Sequence, residues 1–301
     1  MTCSYEERSG PVSRRVRRVA RRARWMVKRL AGRPVSILVE TRWRLGDEVM
    51  AIPVYEALRR AYSTAHIAAL CHYPELLEGN PFVDAVNPDR VQPDRYILLR
   101  GAPRRRYRIK HYCQIADVPV PDAAPRLYYP DWSTPLVPAG GAPLVAVSAG
   151  ASWLTKRWPI ESWRRLCAEL EARGCRIVEL GLETDDAIDV GTSLRGRTTL
   201  REAACVLHAA AVFVGCDSGL MHVALAAGTR VVALFGPTDP SILVRDNQNL
   251  TAITVKRDCQ GCWNALENAP EPGECPRGRR RCLDTVRVEE VLTVVRRTLE
   301  R

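Results

Sequence analysis

The chain has 301 residues, of which 46% are hydrophobic and 26% charged, and its formal net charge is +11. The length predicts two domains, and the composition excludes a disordered or collagen-like chain. The charge is uneven, because the first 33 residues hold eleven Lys/Arg against two Glu and so carry +9, which leaves +2 for the remainder. No apolar run approaches the roughly 20 residues that cross a bilayer, and the Arg-dense terminus lacks the apolar core of a secretory signal. We therefore expect a cytoplasmic protein.

The first predicted element is a basic amphipathic helix within a segment of residues 1–33. Residues 13–30 place their apolar side chains in an arc of roughly 120°, opposite an almost wholly Arg face that includes Trp25. Three uses of this helix stay open: packing its apolar stripe on the body, lying on an anionic membrane surface, or binding a polyanion. We expect the second, which would hold a cytoplasmic protein peripherally at the inner membrane.

Two β-α-β alternations follow, separated by a Pro- and Gly-rich stretch over 130–143 that predicts a linker. The first predicts strands over 34–40, 66–70, 83–87 and 96–99, with a helix over about 48–61. The second predicts strands over 144–147, 176–180, 211–215 and 230–235, with helices over 160–173, 200–210, 218–227 and 288–299 and a Cys-rich segment over 258–283. The pattern predicts an α/β protein with two Rossmann-like domains, 34–138 and 139–301, facing across a cleft. Ligands bind such sheets in the loops after the strands.

The loop after the predicted strand 211–215 suits a diphosphate. Asp217 or Ser218 caps the following helix, and Gly219 lets an anionic group approach the helix N-terminus. The alternative is an ordinary N-cap, with His222 packed in the interior.

Three other loops carry residue types that suit a nucleotide. Ser148 and Gly150 form a small-residue turn, and the cations Lys156 and Arg157 that follow it neutralise phosphate, unless they are ordinary surface charges. The remaining loops place a carboxylate where a ribose would be held, and a turn with a hydroxyl, through Glu183, Gly236 and Thr238.

Four motifs together resemble the bacterial heptosyltransferase family, glycosyltransferase family 9. They are Arg42-x-x-Leu45-Gly46-Asp47 with Pro53, Ala151-Ser152 with Lys156-Arg157-Trp158-Pro159, the run GCDSGLMHVA from Gly215 to Ala224, and LFGPT from Leu234 to Thr238. The resemblance extends from about Val35 to the C-terminus. It implies a GT-B fold and an inverting, metal-independent transfer of a sugar from a nucleotide diphosphate, most of all ADP-heptose, to a glycan or lipopolysaccharide-type acceptor.

The resemblance also implies roles for the residues of the four motifs. Asp47, next to Gly46, would be the general base that deprotonates the acceptor hydroxyl, although a helix N-cap explains it equally well without the family. Lys156 would stabilise the leaving diphosphate, with Arg157 as a helper. The implied donor contacts come from Gly46, Ser148, Gly150, Glu183, Asp217, Ser218, Gly219, Leu220, His222, Gly236 and Thr238.

The domain over 34–138 is shorter than the family pattern, because the strand-like run 96–99 leads almost directly into a basic cluster over 104–110. That cluster either binds an anionic glycan, lipid-linked or protein acceptor or is a solvated loop. A same-family transferase that modifies protein is the second hypothesis. A nucleic-acid-binding module on a degenerate transferase scaffold is the third, which the retained Asp47 and strand-end motifs disfavour.

Four cysteines form a cluster in the Cys-rich segment, whereas most of the others lie singly in apolar surroundings. The spacing of Cys259, Cys262, Cys275 and Cys282 predicts a closed structural zinc or iron site. The resemblance adds that protein-modifying relatives hold iron in a similar segment. Reduced thiols in a surface loop are the alternative.

Overall fold

The computed structural model describes residues 11–101, 103–122, 124–137, 140–245, 247–265, 274–275, 277–278 and 282–301. The chain forms two compact units. Unit 1 comprises Met1–Ala102 and Arg108–Pro130, and unit 2 comprises Pro103–Tyr107 and Asp131–Arg301. Unit 2 thus includes one five-residue segment, Pro103–Tyr107, from the first half of the chain.

Unit 1 is built on a four-stranded parallel sheet in the order β3-β2-β1-β4. Its strands are buried because their side chains are apolar on both faces, as in Ile37, Leu38 and Val39, which are fully inaccessible. The elements are α1 (Pro11–Leu30), β1 (Ser36–Thr41), α2 (Leu45–Ala61), β2 (His66–Cys71), a 3₁₀ turn (Pro74–Leu77), β3 (Ala85–Val86), β4 (Arg95–Leu98) and α3 (Arg108–Ala116).

Unit 2 contains a six-stranded parallel sheet in the order β10-β9-β8-β5-β6-β7. Helices α4 and α9 pack together against the sheet, and α5 and α6 form a second such pair. The elements are β5 (Leu144–Ser148), α4 (Ile160–Glu171), β6 (Arg176–Glu179), β7 (Thr192–Ser193), α5 (Leu200–Ala209), β8 (Val212–Cys216), α6 (Gly219–Ala226), β9 (Val231–Phe235), α7 (Pro240–Leu243), β10 (Leu250–Thr254), α8 (Cys262–Ala265) and α9 (Val288–Leu299), with 3₁₀ turns at Leu154–Lys156 and Leu283–Thr285.

The predicted helices and strands of unit 2 agree with the structure to within two residues, but β7 and β10 were not predicted. In unit 1 the predicted strand over 83–87 shrinks to the two residues of β3. Helix α2 begins at Leu45, about three residues earlier than predicted, so Gly46 and Asp47 lie in its first turn. A carboxylate in the first turn of a helix is stabilised by the helix dipole, which favours the longer helix.

Helix α1 packs on unit 1 through the face opposite its apolar stripe. The ring of Trp25 lies edge-on to Tyr62 at 5.2 Å between centroids, and Lys28 Nζ is 2.7 Å from Asp94 Oδ2. The stripe itself is exposed, with Leu30 accessible over 86% of its surface. The apolar stripe therefore does not pack on the body of the protein, and that one of the three predicted uses is wrong. In the described parts of the chain, no helix has the length and apolar character needed to span a membrane.

Candidate active site

Three predicted donor-site residues of unit 2 meet in one cluster. Strands β9, β8 and β5 are neighbours and run parallel, so the loops that follow them lie at the same edge of the sheet. Asp217, directly after β8, accepts hydrogen bonds at Oδ2 from Lys156 Nζ at 2.6 Å and from Thr238 Oγ1 at 2.7 Å. We call these three residues the lysine cluster.

The lysine cluster is buried and charge-balanced. Only 13% of the Lys156 side chain is accessible, which excludes the alternative that Lys156 is an ordinary surface charge. Burial by itself raises the pKa of Asp217. The charges of Lys156 and His222 and the hydrogen bonds from Lys156 and Thr238 lower it by a larger amount, so its pKa lies below the usual value. Asp217 therefore stays ionised at neutral pH and holds the ammonium group at the sheet edge.

Two tryptophans and an arginine extend the lysine cluster. Lys156 Nζ lies 4.1 Å from the centroid of the Trp153 ring, and Trp153 packs edge-on against Trp263 at 4.7 Å. The guanidinium of Arg104 covers Trp263 at 3.8 Å. Cation–π contact to an indole favours an ammonium or guanidinium group at this distance. Sequence patterns gave no signal for this stack, because its members are far apart in the chain.

The N-terminus of α6 begins next to Asp217 and has unused hydrogen-bonding groups. Ser218 is the N-cap residue by position and has extended backbone angles, but its hydroxyl makes no capping bond. Its Oγ is buried without a hydrogen-bond partner. The first backbone N–H groups of a helix also have no partner within it, here at Gly219 and Leu220. These donors and the helix dipole together suit an anion.

Two of the predicted glycines are needed for packing against other residues of unit 2. A Cβ on Gly150 would lie 2.2 Å from Asp185 Oδ2, and a Cβ on Gly236 would lie 2.6 Å from Cys282 Cβ. The absence of a side chain at these positions is thus already explained by Asp185 and Cys282. The donor role predicted for both glycines stays a prediction. Ser148 ends β5 and is buried beside Gly215 of β8.

The other predicted donor residues of unit 2 lie at different depths. Arg157 donates from Nε to the carbonyl of Ala151 at 2.9 Å, which holds one edge of its guanidinium against the backbone. Glu183 is exposed, and its ribose role stays a prediction. His222 is only 8% accessible, as its packed alternative expects, yet its charge also acts on Asp217.

The Cys-rich segment is attached to the loops that carry the lysine cluster. Trp263 N donates to the carbonyl of Pro237 at 2.8 Å, and Gln260 Nε2 donates to that of Thr238 at 3.1 Å. Cys282 N donates to the carbonyl of Thr155, next to Lys156, at 3.2 Å. The segment therefore braces both the turn after β9 and the turn that presents the lysine.

The four predicted ligand cysteines line one pocket of unit 2, together with Gly236, Val255, Arg257 and Arg277. All four are free thiols. Burial, followed by the charges of the other three thiols, raises the pKa of Cys282 to about 12. Within the described residues no group of three or more His, Cys, Asp or Glu side chains is arranged to hold a metal ion. The thiols thus share a pocket and supply the donor atoms that zinc or iron takes in structural sites.

In unit 1 the candidate base Asp47 is paired with an arginine. Its Oδ1 lies 3.1 Å from Arg108 Nε on α3, and its side chain is only 8% accessible. The N-cap of α2 is Arg44, so the alternative that Asp47 is the N-cap is wrong. Burial and the charge of Asp47 raise the pKa of the neighbouring Tyr112 above its usual value. Asp47 is thus a buried carboxylate held beside a cation.

Glu48 supports this turn and was not predicted from the sequence. Its carboxylate accepts hydrogen bonds from the backbone N–H groups of Trp43, His72 and Tyr73 at 2.9 to 3.2 Å. Desolvation raises its pKa, and these three bonds offset part of that effect. Glu48 thereby ties the start of α2 to the loop after β2 and fixes the position of Asp47. Only an acidic residue next to the motif aspartate could have hinted at this function.

The basic cluster over 104–110 is divided between the two units. Residues 103–107 belong to unit 2, where Arg104 covers Trp263 and Arg105 donates to the carbonyl of Ala265. Arg108 belongs to unit 1 and pairs with Asp47. The alternative of a solvated loop is therefore wrong, because these three arginines have structural partners and residues 108–110 lie in α3. Binding of an anionic acceptor stays a prediction.

Comparison with known proteins gives one family. Residues 131–271 match the model of glycosyltransferase family 9 (heptosyltransferase). The inactive autotransporter heptosyltransferase BimC of Burkholderia thailandensis is 27% identical over 88% of this chain and 69% of its own length. Lipopolysaccharide heptosyltransferase 1 of Pseudomonas aeruginosa is 34% identical, over 33% of this chain and 30% of its own length. The sequence match thus spans about a third of that enzyme.

Solved structures extend the comparison to the fold of most of the chain. The Escherichia coli ADP-heptose lipopolysaccharide heptosyltransferase II superposes with a TM-score of 0.69 at 18% identity, over 88% of this chain and 98% of that one. The iron-containing dodecameric glycosyltransferase TibC of enterotoxigenic E. coli gives 0.73 at 17% identity, over 89% and 76%. The predicted α/β fold of GT-B type is confirmed. Residues 131–271 therefore match glycosyltransferase family 9, the heptosyltransferases, as the motifs in that segment indicate, and most of the chain has the fold of these solved glycosyltransferases.

Proposed function

We propose that the chain transfers heptose from ADP-heptose to a glycan or lipopolysaccharide-type acceptor, with inversion at the anomeric carbon and without a catalytic metal. The observation that carries the proposal is the lysine cluster beside the N-terminus of α6, where a buried ammonium and the unpartnered hydroxyl of Ser218 suit a diphosphate. The named substrates of the similar E. coli enzyme support ADP-heptose as the donor.

The proposed reaction uses Asp47 as the base and Lys156 as the group that stabilises the leaving diphosphate. Asp47 accepts the proton of the acceptor hydroxyl as its oxygen attacks the anomeric carbon. The bond from that carbon to the diphosphate oxygen breaks, and ADP leaves with the bonding electrons. Lys156, with the N–H groups of α6, stabilises the charge that grows on the diphosphate. Asp217 positions Lys156, and Arg108 positions Asp47.

The remaining predicted residues complete the donor site in this proposal. Ser148 and Gly150 line the turn after β5, Arg157 assists Lys156, and Glu183 holds the ribose diol. Gly236 and Thr238 shape the turn after β9. His222 lies close enough to Asp217 for its charge to lower the pKa of that carboxylate. These assignments rest on motif position and on the loops that the residues occupy.

A panel of nucleotide sugars tests the donor assignment. ADP-heptose is expected to raise the melting temperature of the chain, whereas UDP- and GDP-sugars are expected to leave it unchanged. Replacement of Lys156 by Met should remove the ADP-heptose shift. A shift by UDP- or GDP-sugars alone would overturn the donor assignment, and no shift with any of them would overturn the transferase proposal.

A protein acceptor is the second candidate, and the extent of the matches supports it. A sequence match over 88% of this chain is to an inactive autotransporter heptosyltransferase, and the structural neighbour TibC is iron-containing. Transfer of labelled heptose to an autotransporter passenger, with none to a lipopolysaccharide core, would favour a protein acceptor.

We propose that Cys259, Cys262, Cys275 and Cys282 hold zinc or iron as a structural group that stabilises the loops of the lysine cluster.

Elemental analysis tests the metal. The purified chain should carry close to one equivalent of zinc or iron, and Cys262→Ser should lose it. The matched control is Cys175→Ser, since Cys175 is a half-buried free thiol outside the pocket. A metal-free chain, or equal metal in both variants, would end the proposal.

A further inference from the structure

Helix α1 is held on unit 1 by its polar face. Arg24 Nε and Lys28 Nζ lie 3.4 and 2.7 Å from the two carboxylate oxygens of Asp94. Asp94 is 3% accessible and also accepts the backbone N–H of Ser36 at 2.9 Å. Trp25 packs against Tyr62, and the guanidinium of Arg95 lies 5.5 Å from the centroid of the Trp25 ring. This face is therefore occupied by unit 1.

The opposite face carries an apolar stripe that points away from unit 1. At about 100° per residue the stripe is centred close to 180° from Trp25. Its exposed members, between 55 and 86% accessible, are Val16, Val19, Met26, Val27 and Leu30. We call this set the outer stripe. Five exposed apolar side chains in one row on one helix form a contiguous surface rather than scattered residues.

Cations flank the outer stripe on both sides. Arg22 and Arg29 are exposed along one edge, although the Arg29 guanidinium also lies 5.8 Å from the centroid of the Trp25 ring. Arg24 and Lys28 along the other edge remain 47 and 38% accessible despite their contacts with Asp94. Long basic side chains in these positions extend their charges beyond the apolar row, which is the arrangement of a helix that lies in a lipid interface.

We propose that α1 lies on an anionic lipid surface, with the outer stripe in the boundary of the acyl chains and the flanking cations at the phosphates. Trp25, which a sequence view places on the wrong side for insertion, instead attaches the helix to unit 1. This inference does not depend on the proposed sugar transfer, because none of its residues belongs to the lysine cluster or to the pair of Asp47 and Arg108.

Two other occupants of the outer stripe fit the observations less well. A nucleic acid offers phosphates but leaves the apolar row in water, and the centre of the polar face is already bound to Asp94 and Tyr62. A second copy of the chain would bring a like-charged border against this one. A stable protein interface also needs about 800 Å² from each partner, which one row of mostly small side chains does not supply.

Vesicle sedimentation with the full chain tests the proposal. The chain should bind vesicles of equal parts phosphatidylglycerol and phosphatidylcholine, and high salt or pure phosphatidylcholine should weaken that binding. Val19→Asp with Val27→Asp should weaken it roughly tenfold or more, because charges enter the stripe. The matched control is Val120→Asp, an exposed valine of unit 1 outside α1, which should bind as the parent chain does.

Melting temperature, oligomeric state and RNA binding are measured beside vesicle binding. Equal melting temperatures of parent and stripe variant would show that the fold is kept, as expected for exposed positions. Equal vesicle binding by the two, or no binding by either, would overturn the proposal. A change of oligomeric state in the stripe variant, measured by light scattering, would assign the stripe to a second copy. Tighter, salt-sensitive binding to a single-stranded RNA that the stripe variant retains would assign α1 to nucleic acid, and either result would contradict the lipid surface.

Discussion

Lys156 and Asp217 form a buried ion pair at the edge of the sheet of unit 2, with 2.6 Å between Nζ and Oδ2. The pair joins the loop after β5 to the loop after β8, and Thr238 adds the loop after β9 through its hydrogen bond to the same oxygen. In the proposed reaction a donor diphosphate would share the ammonium with Asp217. The strength of this pair therefore bears on both stability and donor binding.

Replacement of Asp217 by Asn should destabilise unit 2, because Lys156 would stay buried without its counter-charge. Breaking such a pair from one side costs about 3 to 5 kcal/mol. Chemical denaturation at neutral pH measures the loss in the free energy of unfolding. A change below about 0.5 kcal/mol, the usual size for surface substitutions, would contradict the buried pair.

The pH dependence of stability follows from the same carboxylate. The pKa of Asp217 in the folded chain is below its ordinary value of 3.8, so the unfolded state binds the proton more readily. The contribution is therefore complete above the unfolded pKa and is lost as the pH falls through the folded pKa. Denaturation from pH 6 down to about pH 3 should show a steeper fall for the parent than for Asp217→Asn. Parallel curves would contradict this assignment.

Trp263→Ala should weaken ADP-heptose binding roughly tenfold, because Trp153 and then Lys156 lose their packing support. Trp132→Ala is the matched control, since Trp132 is a half-buried tryptophan of unit 2 that stacks on His208 at 4.3 Å. Calorimetric titration of both variants measures the difference. Equal affinities would mean that the aromatic stack does not position Lys156.

Arg108→Ala should lower kcat by about tenfold or more while leaving donor affinity unchanged, because Asp47 loses the side chain that orients it. Arg108→Lys should recover part of the loss. The control is Arg126→Ala, an exposed arginine of unit 1. If Arg108→Ala instead weakens donor binding at constant kcat, Arg108 contacts the donor and does not act through Asp47.

Gly150→Ala should destabilise unit 2 by about 1 to 3 kcal/mol, the usual cost of overpacking. The new Cβ would overlap the carboxylate of Asp185, which accepts the N–H of Leu182 at 2.8 Å. Asp185→Ala removes the overlap, so the double variant should be more stable than the sum of the single changes predicts. Strict additivity in this double-mutant cycle would refute the contact.

The motifs predicted the lysine cluster because the rules of parallel sheets are local and general. Asp217, Lys156 and Thr238 each follow a strand, and neighbouring parallel strands bring such loops to one edge. The apolar runs of unit 2 are continuous and well separated, so they predicted the bounds of most of its helices and strands to within two residues. Sequence patterns therefore sufficed for the fold and for the residues that meet in the lysine cluster.

Residues distant in the chain decided what the patterns missed. Arg104 lies about 160 positions from the Trp263 and Asn264 that it contacts, so the division of the basic cluster has no local signal. Gly150 and Gly236 lie in small-residue turns of the kind that bind ligands, yet Asp185 and Cys282 fill the space beside them. In α1 the periodicity correctly defined the two faces, but only Tyr62 and Asp94 show which one unit 1 covers.

The most direct test of the proposed transfer combines turnover and binding in one variant, Asp47→Asn. Labelled heptose is supplied as ADP-heptose with a lipopolysaccharide core or a protein acceptor, and calorimetry measures donor affinity separately. We expect the parent chain to transfer heptose, and Asp47→Asn to lose transfer by at least about a hundredfold while it binds ADP-heptose as tightly as the parent. The exposed Asp89→Asn serves as the control and should keep full activity. Transfer by Asp47→Asn at the parental rate, or no transfer by the parent with either acceptor, would contradict the account.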